Sequence, residues 1–291
     1  WTPGVSGVTT ALSGVCHGDG WYVAVGEGGT VLTSPDGSAW TREVSGVTTG
    51  LLAVAFGEPG YVAVGASGVI LTSWDAVTWT AQSTGLPIAL TDIVFAGGLY
   101  VATGGVGLVL TSGDGSVWTF PSSGTARGLS SVCSGGAGFV AVGDGGGIVV
   151  SADGAAWRSV TTGETPTVLA VAYGNGVYLA VGKDGAAETS PDGVVWRTQR
   201  SGVTANIHGL LYANASFVAV GDLGTILTTP DGETWTRRTS GTTASLFDVA
   251  YGTVLGKGMY VAVGSAGTVL TSPDDAPWTC LLYPSDAADD L

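Results

Sequence analysis

The stretch "SPDGSAW", residues 34–40, ends in a tryptophan that returns every 39 residues, at Trp1, Trp40, Trp79, Trp118, Trp157, Trp196 and Trp235, with Trp278 following after 43. A second register, "YVAVG" at 22–26, recurs at 61–65, as "YVATG" at 100–104, "FVAVG" at 139–143, "YLAVG" at 178–182, "FVAVG" at 217–221 and "YVAVG" at 260–264. Two motifs sharing one period define an internal repeat with seven complete copies. The four extra residues of the last interval fall in "YGTVLGKGMY", 251–260, where a longer turn is inserted between two strands.

Each unit reads as four short strands, as in "LLAVAFG" (51–57), "YVAVG" (61–65), "VILTS" (69–73) and "WTAQS" (79–83), separated by Gly-rich or Asp-Gly turns. No 11-residue stretch both lacks glycine and carries a helical apolar period, so the chain is all-β. The second strand is apolar on both faces, which requires cover on two sides and therefore face-to-face stacking of neighbouring copies. Units of about 40 residues with four antiparallel strands are the signature of propeller blades. The spacing predicts a single seven-bladed β-propeller over 1–279, with blades near 11–45, 50–84, 89–123, 128–162, 167–201, 206–240 and 245–279. Trp1-Thr2 and Trp278-Thr279 both match the start of a fourth strand, so either is able to complete the last blade. The tail "CLLYPSDAADDL", 280–291, breaks the repeat, looks like translated adapter read-through of the kind that ends some metagenomic gene predictions, and is set aside as non-native.

Composition agrees with this class. Among 291 residues, 45% are apolar and 50 are glycine, which suits many tight turns between short strands around a large core. The net charge of -14, with Lys183 and Lys257 the only lysines, excludes nucleic acid and polybasic membrane contacts as partners. No run of 18 apolar residues is present to span a bilayer as a helix.

Seven strings occupy one slot: "SPDGSAW", "SWDAVTW", "SGDGSVW", "SADGAAW", "SPDGVVW", "TPDGETW" and "SPDDAPW". They resemble a shortened Asp-box, the Ser-x-Asp-x-Gly-x-Thr-Trp hairpin of sialidase-like and other BNR-type propellers, with one residue fewer between serine and tryptophan. The whole unit, over roughly residues 1–279, is similar to bacterial propeller repeats grouped with photosystem II stability and assembly factors. The resemblance implies a propeller with its Asp-turns on the periphery, away from the channel. Turn chemistry accounts for Asp36, Asp75, Asp114, Asp153, Asp192, Asp231 and Asp274, and gap filling between blades for Trp40, Trp79, Trp118, Trp157, Trp196, Trp235 and Trp278. A catalytic residue need not appear seven times.

Function is therefore sought where the copies disagree. The loops between second and third strands vary while their flanking glycines do not, and they share a face with linkers such as "RGL" (127–129) and "TANIH" (204–208). Glu27, Asp144, Lys183, Asp184, Asp222, Arg127 and His208 mark this candidate binding face, whose acidic rim suits a cation or a basic partner. Asp92 and Asp248 share one position on the innermost strands, where other blades carry Gly, Ala or Ser, and are the channel candidates. Glu188 stands where other blades have Leu32, Leu71, Leu110, Val149, Leu227 and Leu270, either paired with Arg197 or Arg200, or on a locally frayed strand, or as a buried acid of raised pKa. His17 and His208 are isolated, so no metal site is indicated, and no cofactor is expected. Cys16 and Cys133 lie three blades apart and read as small core side chains, while Cys280 falls in the tail.

The expected function is a non-enzymatic binding or scaffold propeller, monomeric or part of a longer chain, that offers one face to a protein or glycan. A sialidase-like glycoside hydrolase is the alternative that the resemblance implies, but the family's arginine cluster and Arg-Ile-Pro motif do not appear. Arg42, Arg158, Arg197, Arg237 and Arg238 sit just after the tryptophans on outer strands. Assembly-factor work is the third reading, weakened by the lack of an arginine patch beyond Arg127. The type of protein suggests an extracellular or periplasmic location.

Overall fold

A computed structural model describes residues 1–136, 138–160, 166–254 and 256–273. Its strands form seven sheets, each an antiparallel meander running outward from an innermost strand. Blade 1 is Leu12–Gly18, Trp21–Gly26, Thr30–Ser34 and Thr41–Glu43, and blade 2 is Leu51–Gly57, Gly60–Gly65, Val69–Ser73 and Thr80–Ser83. Blades 4, 5 and 6 begin at Leu129–Gly135, Val168–Gly174 and Ile207–Ala213 and repeat the pattern. Blade 3 keeps three strands, Leu90–Ala96, Leu99–Gly104 and Val109–Ser112, and its fourth is reduced to one bridge between Thr111 and Thr119.

The last blade settles how the ring closes. Leu246–Val254, Lys257–Gly264 and Val269–Pro273 supply its first three strands, and Thr2–Pro3 supplies the fourth, with Thr2 opposite Thr271 and Pro3 opposite Leu270. Trp1 packs on the core between blades 6 and 7, its ring 6.3 Å from that of Tyr260, in the slot that repeat tryptophans fill elsewhere. The chain's first strand thus joins the sheet formed by its last, which locks the ring non-covalently. Asp274, Trp278 and the 280–291 tail lie outside the described residues.

The second strand shows why the blades stack. In blade 1, Val23 and Val25 pack with Val54, Tyr61 and Leu71 of blade 2, while the alternating Tyr22 and Ala24 pack with Val261 and Val263 of blade 7. Strand alternation persists, but both faces are apolar because both are covered. At roughly 1.5–3 kcal/mol for each fully buried large apolar side chain, these inter-blade cores hold the ring. Tyrosine hydroxyls add directional links: Tyr22 donates to the Met259 carbonyl at 2.7 Å and Tyr100 to that of Gly60 at 2.6 Å, each in the preceding blade. Close approach also explains some glycines. Gly57 lies against the Phe95 ring and Gly174 against Tyr212, where an added Cβ would overlap the ring, whereas Ala96 is tolerated because the next blade offers only Ser134 at that position.

The Ser-x-Asp turns act as local staples. Asp36 Oδ1 accepts from the Ser38 and Ala39 amides at 2.8 and 3.2 Å, the Gly37 amide donates to Ser34 Oγ at 2.9 Å, and Trp40 Nε1 donates to the Gly37 carbonyl at 3.0 Å. The same contacts recur at Asp114, Asp153, Asp192 and Asp231. Backbone amides, from Ser38 foremost, hold Asp36 below the usual carboxylate range even against the partial burial that pushes it up.

Candidate functional site: the turn face and the channel

Second and third strands of each blade are joined by a single 3-10 turn: Glu27–Gly29, Ala66–Gly68, Gly105–Gly107, Asp144–Gly146, Lys183–Gly185, Asp222–Gly224 and Ser265–Gly267. Strands run antiparallel, so these turns lie at the opposite end of the third strand from the Ser-x-Asp turns, on the face where the inter-blade linkers return. The central residue of every turn has positive φ, and at Gly29, Gly68, Gly107, Gly185, Gly224 and Gly267 the following glycine abuts linker backbone, as Gly185 does Val203. That conformation favours glycine, which blades 1 and 4 use, yet Val106 (φ 52°) and Leu223 (φ 56°) hold it with side chains 66% and 70% exposed. Two apolar side chains are thus held strained and outward on this face.

Of the predicted face residues, those on blades 5 and 6 are brought together. His208 Nε2 lies 2.8 Å from Asp222 Oδ1, and Asn206 Nδ2 donates to Asp222 Oδ2 at 2.9 Å. The Asp184 amide donates to Asn206 Oδ1 at 3.0 Å, which ties the blade 5 turn into the same network. The His208 ring meets Phe247 of blade 7 edge-on, with centroids 5.5 Å apart. Partial burial pushes the Asp222 carboxyl up, but hydrogen bonds from His208, Ser245 and Asn206, with the His208 charge, bring it below the ordinary value. Lys183 projects exposed beside this group. Arg127 lies apart, its guanidinium donating to the carbonyls of Asp144 and Gly145 and so capping the blade 4 turn. Glu27, on blade 1, is met at 3.4 Å by the amide of Ala11 on its own linker.

The innermost strands of all seven blades surround a cavity of about 530 Å³. Asp92 and Asp248 both line it, and both use their carboxyls to join blades. Asp92 accepts from its neighbour Ile93 and from Val132 of blade 4, each at 2.8 Å. Asp248 likewise accepts from Val249 and from Val15 of blade 1, each at 2.8 Å, so it bridges the seam where the ring closes. Ser131 makes a weaker version of this link to the Val171 amide at 3.3 Å. Where the position is glycine the innermost strands come closer: a Cβ on Gly14 would sit 2.9 Å from Ala53 Cα, and one on Gly209 would sit 2.8 Å from Asp248 Cα. Burial pushes Asp92 up to about 6 and Asp248 up to about 7, opposed by the amides each accepts.

Glu188 is 2% exposed, on the third strand of blade 5, with Ala180 and Thr198 as its cross-strand neighbours. Among the described residues its Oε2 has no hydrogen-bond partner, and no ion pair reaches it from Arg197 or Arg200, which lie opposite Thr189 and Ala186. The arginine pairing, one of the alternatives read from sequence, is absent among the described residues: Arg197 lies one position and Arg200 two positions from Thr198, the residue opposite Glu188, and both are exposed. Burial accordingly raises the Glu188 pKa. His17 packs against Tyr22 with the rings tilted 58° and their centroids 4.5 Å apart, and burial lowers its pKa. Burial, foremost, and a neighbouring aspartate push the Cys16 and Cys133 thiols up, which keeps them unreactive. Among the described residues, no three His, Cys, Asp or Glu side chains cluster to hold a metal, and no helix is long and apolar enough to cross a membrane.

Sequence comparison finds no matching family model and no matching curated relative. Solved structures do match. YCF48 from Cyanidioschyzon merolae aligns with a TM-score of 0.73 at 16% identity, covering 93% of this chain and 98% of its own. In fold, the chain is similar to YCF48. A structure of YCF48 bound to D1 peptide gives 0.75 at 16%, covering 93% and 94%, and the WD40 propeller domain of Doa1 gives 0.76 at 15%, covering 94% and 97%. At such identities the likeness establishes the seven-bladed architecture.

The sequence reading missed Asn206 and Phe247 as partners of the acidic turns. Asn206 was visible in the varying linker "TANIH", but its role as the bridge between two turns depends on the stacking of blades 5 and 6.

Proposed function

We propose that this chain is a non-enzymatic binding propeller whose turn face takes an extended, basic segment of a protein partner. The observation that carries the reading is the network of the Asp184 amide, Asn206, Asp222 and His208, edged by Phe247, which fixes the Asp222 carboxylate on the face. A carboxylate held by hydrogen bonds, as that of Asp222 is, loses little freedom when a cation arrives, and the net charge of -14 steers such a partner toward the chain. The exposed Val106 and Leu223 tips offer apolar contacts on the same face. Support by analogy comes from YCF48, one structure of which is bound to D1 peptide. On this reading the protein acts outside the cytoplasm, as a monomer or as a module of a longer chain.

The test is a titration of Lys/Arg-rich extended peptides against the protein and an Asp144→Ser, Asp184→Ser, Asp222→Ser variant at two salt concentrations. Binding that weakens with salt and vanishes in the variant is expected; retained binding would place the site elsewhere. A second reading, glycoside hydrolysis in the channel, is favoured by one observation, the raised pKa values of Asp92 and Asp248 beside the cavity. Against it, each carboxyl already accepts two backbone amides. Glycoside turnover that disappears in Asp92→Ala or Asp248→Ala would displace the binding reading.

A further inference from the structure

On the face opposite the turn face, one Ser-x-Asp turn departs from its siblings. Where the other copies carry Pro35, Gly113, Ala152, Pro191, Pro230 and Pro273, blade 2 carries Trp74, and its side chain is 77% exposed. Turn chemistry demands no indole there, since the siblings close the same turn with small residues or proline. Unlike the repeat tryptophan Trp79, which is buried and donates to the Ala76 carbonyl at 2.8 Å, Trp74 anchors no core.

Trp74 borders a hollow of about 220 Å³ between blades 2 and 3, whose exposed rim includes Thr78, Thr80, Asp114 and Ser116. The hydrogen-bonding groups on this rim are divided. Asp114 Oδ1 is used by its own turn, accepting from the Ser116 and Val117 amides at 2.8 and 2.9 Å, and Thr78 Oγ1 is used by Asp75 at 3.0 Å. Asp114, Ser116 and Thr80 are exposed, and among the described residues no hydrogen bond engages Asp114 Oδ2, Ser116 Oγ or Thr80 Oγ1. One aromatic plate therefore stands beside a free carboxylate oxygen and two free hydroxyls, around a space suited to a single sugar ring.

We propose that this hollow is a saccharide-binding subsite. A pyranose presents C–H groups on one face, which match the negative face of the indole, and equatorial hydroxyls at its edge, which donate to Asp114 Oδ2 and exchange hydrogen bonds with Ser116 and Thr80. The equivalent gap between blades 4 and 5 has Ala152 in place of Trp74, so it lacks the plate and serves as an internal control. The subsite is independent of the acidic turn face, and either is able to fail without the other.

The test is calorimetric titration of the full chain with neutral hexaoses, namely cellohexaose, maltohexaose, xylohexaose and mannohexaose, alongside benzyltrimethylammonium as a cationic probe. At least one hexaose should bind, with salt-insensitive affinity that falls tenfold or more in Trp74→Ala and severalfold in Asp114→Asn. Both changes preserve the turn, since a sibling carries Ala at the first position and Asn keeps the Oδ1 acceptor. Binding of no hexaose, or binding indifferent to Trp74→Ala, overturns the proposal. So does salt-sensitive binding of the ammonium probe alone, which would make the hollow a cation site, or Trp74-dependent capture of a protein without sugar binding.

Discussion

Replacing Glu188 with leucine should stabilise this protein, against the usual direction of core substitutions. The perturbation restores the residue type that Leu32, Leu71, Leu110, Leu227 and Leu270 provide at the same place in other blades. Two contributions add. The buried Oε2 without a partner is a desolvated polar group, and removing it returns about 1–3 kcal/mol. A leucine buried in that slot contributes about 2 kcal/mol, part of which the methylenes of the glutamate already supply. The net expectation is a gain of about 2–4 kcal/mol at neutral pH, or a rise in Tm of about 4–8 °C for a chain of this size. The gain also depends on pH. Because burial raises the Glu188 pKa from its ordinary 4.5, the folded state binds more protons than the unfolded state above that value. Wild-type stability therefore falls as pH rises from 4.5 through the raised folded-state value, while Glu188→Leu lacks this loss. Urea unfolding of both proteins at pH 4.5 and pH 8 measures it, with Glu188→Gln as an intermediate case. A variant no more stable than wild type at pH 8, or a difference indifferent to pH, would refute the reasoning and point to an unrecognised partner for the carboxylate.

Further substitutions probe the inner ring and the turn face. Asp248→Asn sets an amide group against one of two backbone N–H donors, so it should cost about 1–3 kcal/mol and speed hydrogen exchange at Val15 or Val249, leaving the Val171 amide, held by Ser131, unchanged. Because the Asp248 carboxyl is raised from 3.8 to about 7, the same variant should also flatten a decline in stability between about pH 4 and pH 7. Gly14→Ala should destabilise by about 1–3 kcal/mol in a thermal melt, since its Cβ meets the Ala53 backbone, whereas Ala53→Gly should have a much smaller effect. Val106→Gly should raise stability by about 1 kcal/mol in urea unfolding by relieving a positive-φ valine, and should weaken partner binding if the exposed side chain serves the turn face.

Much of the architecture was legible because a repeat states its constraints several times. The tryptophan period, the two-faced apolar second strand and the Asp-Gly turns each imply stacked blades, and local geometry alone dictates their residue types. The candidate site was only partly legible. The acidic turns were visible as departures from the repeat, but their partners were not, since Asn206 and Phe247 reach Asp222 and His208 across linker and blade boundaries. Trp74 was written in the sequence as a departure of the same kind. It was masked by belonging to a motif whose other members are structural.

By itself, then, the amino-acid sequence determined the β class, the number of blades and the chemistry of each turn, because these depend on residue spacing and on contacts within one unit. The tertiary structure alone decided which strand closes the ring, that Asp92 and Asp248 spend their carboxyls joining blades, and that Glu188 is buried without a partner. Each of these depends on which side chains meet between strands distant in sequence, and the energies that distinguish the outcomes, a hydrogen bond made or a carboxylate left unpaired, arise only when the ring is complete.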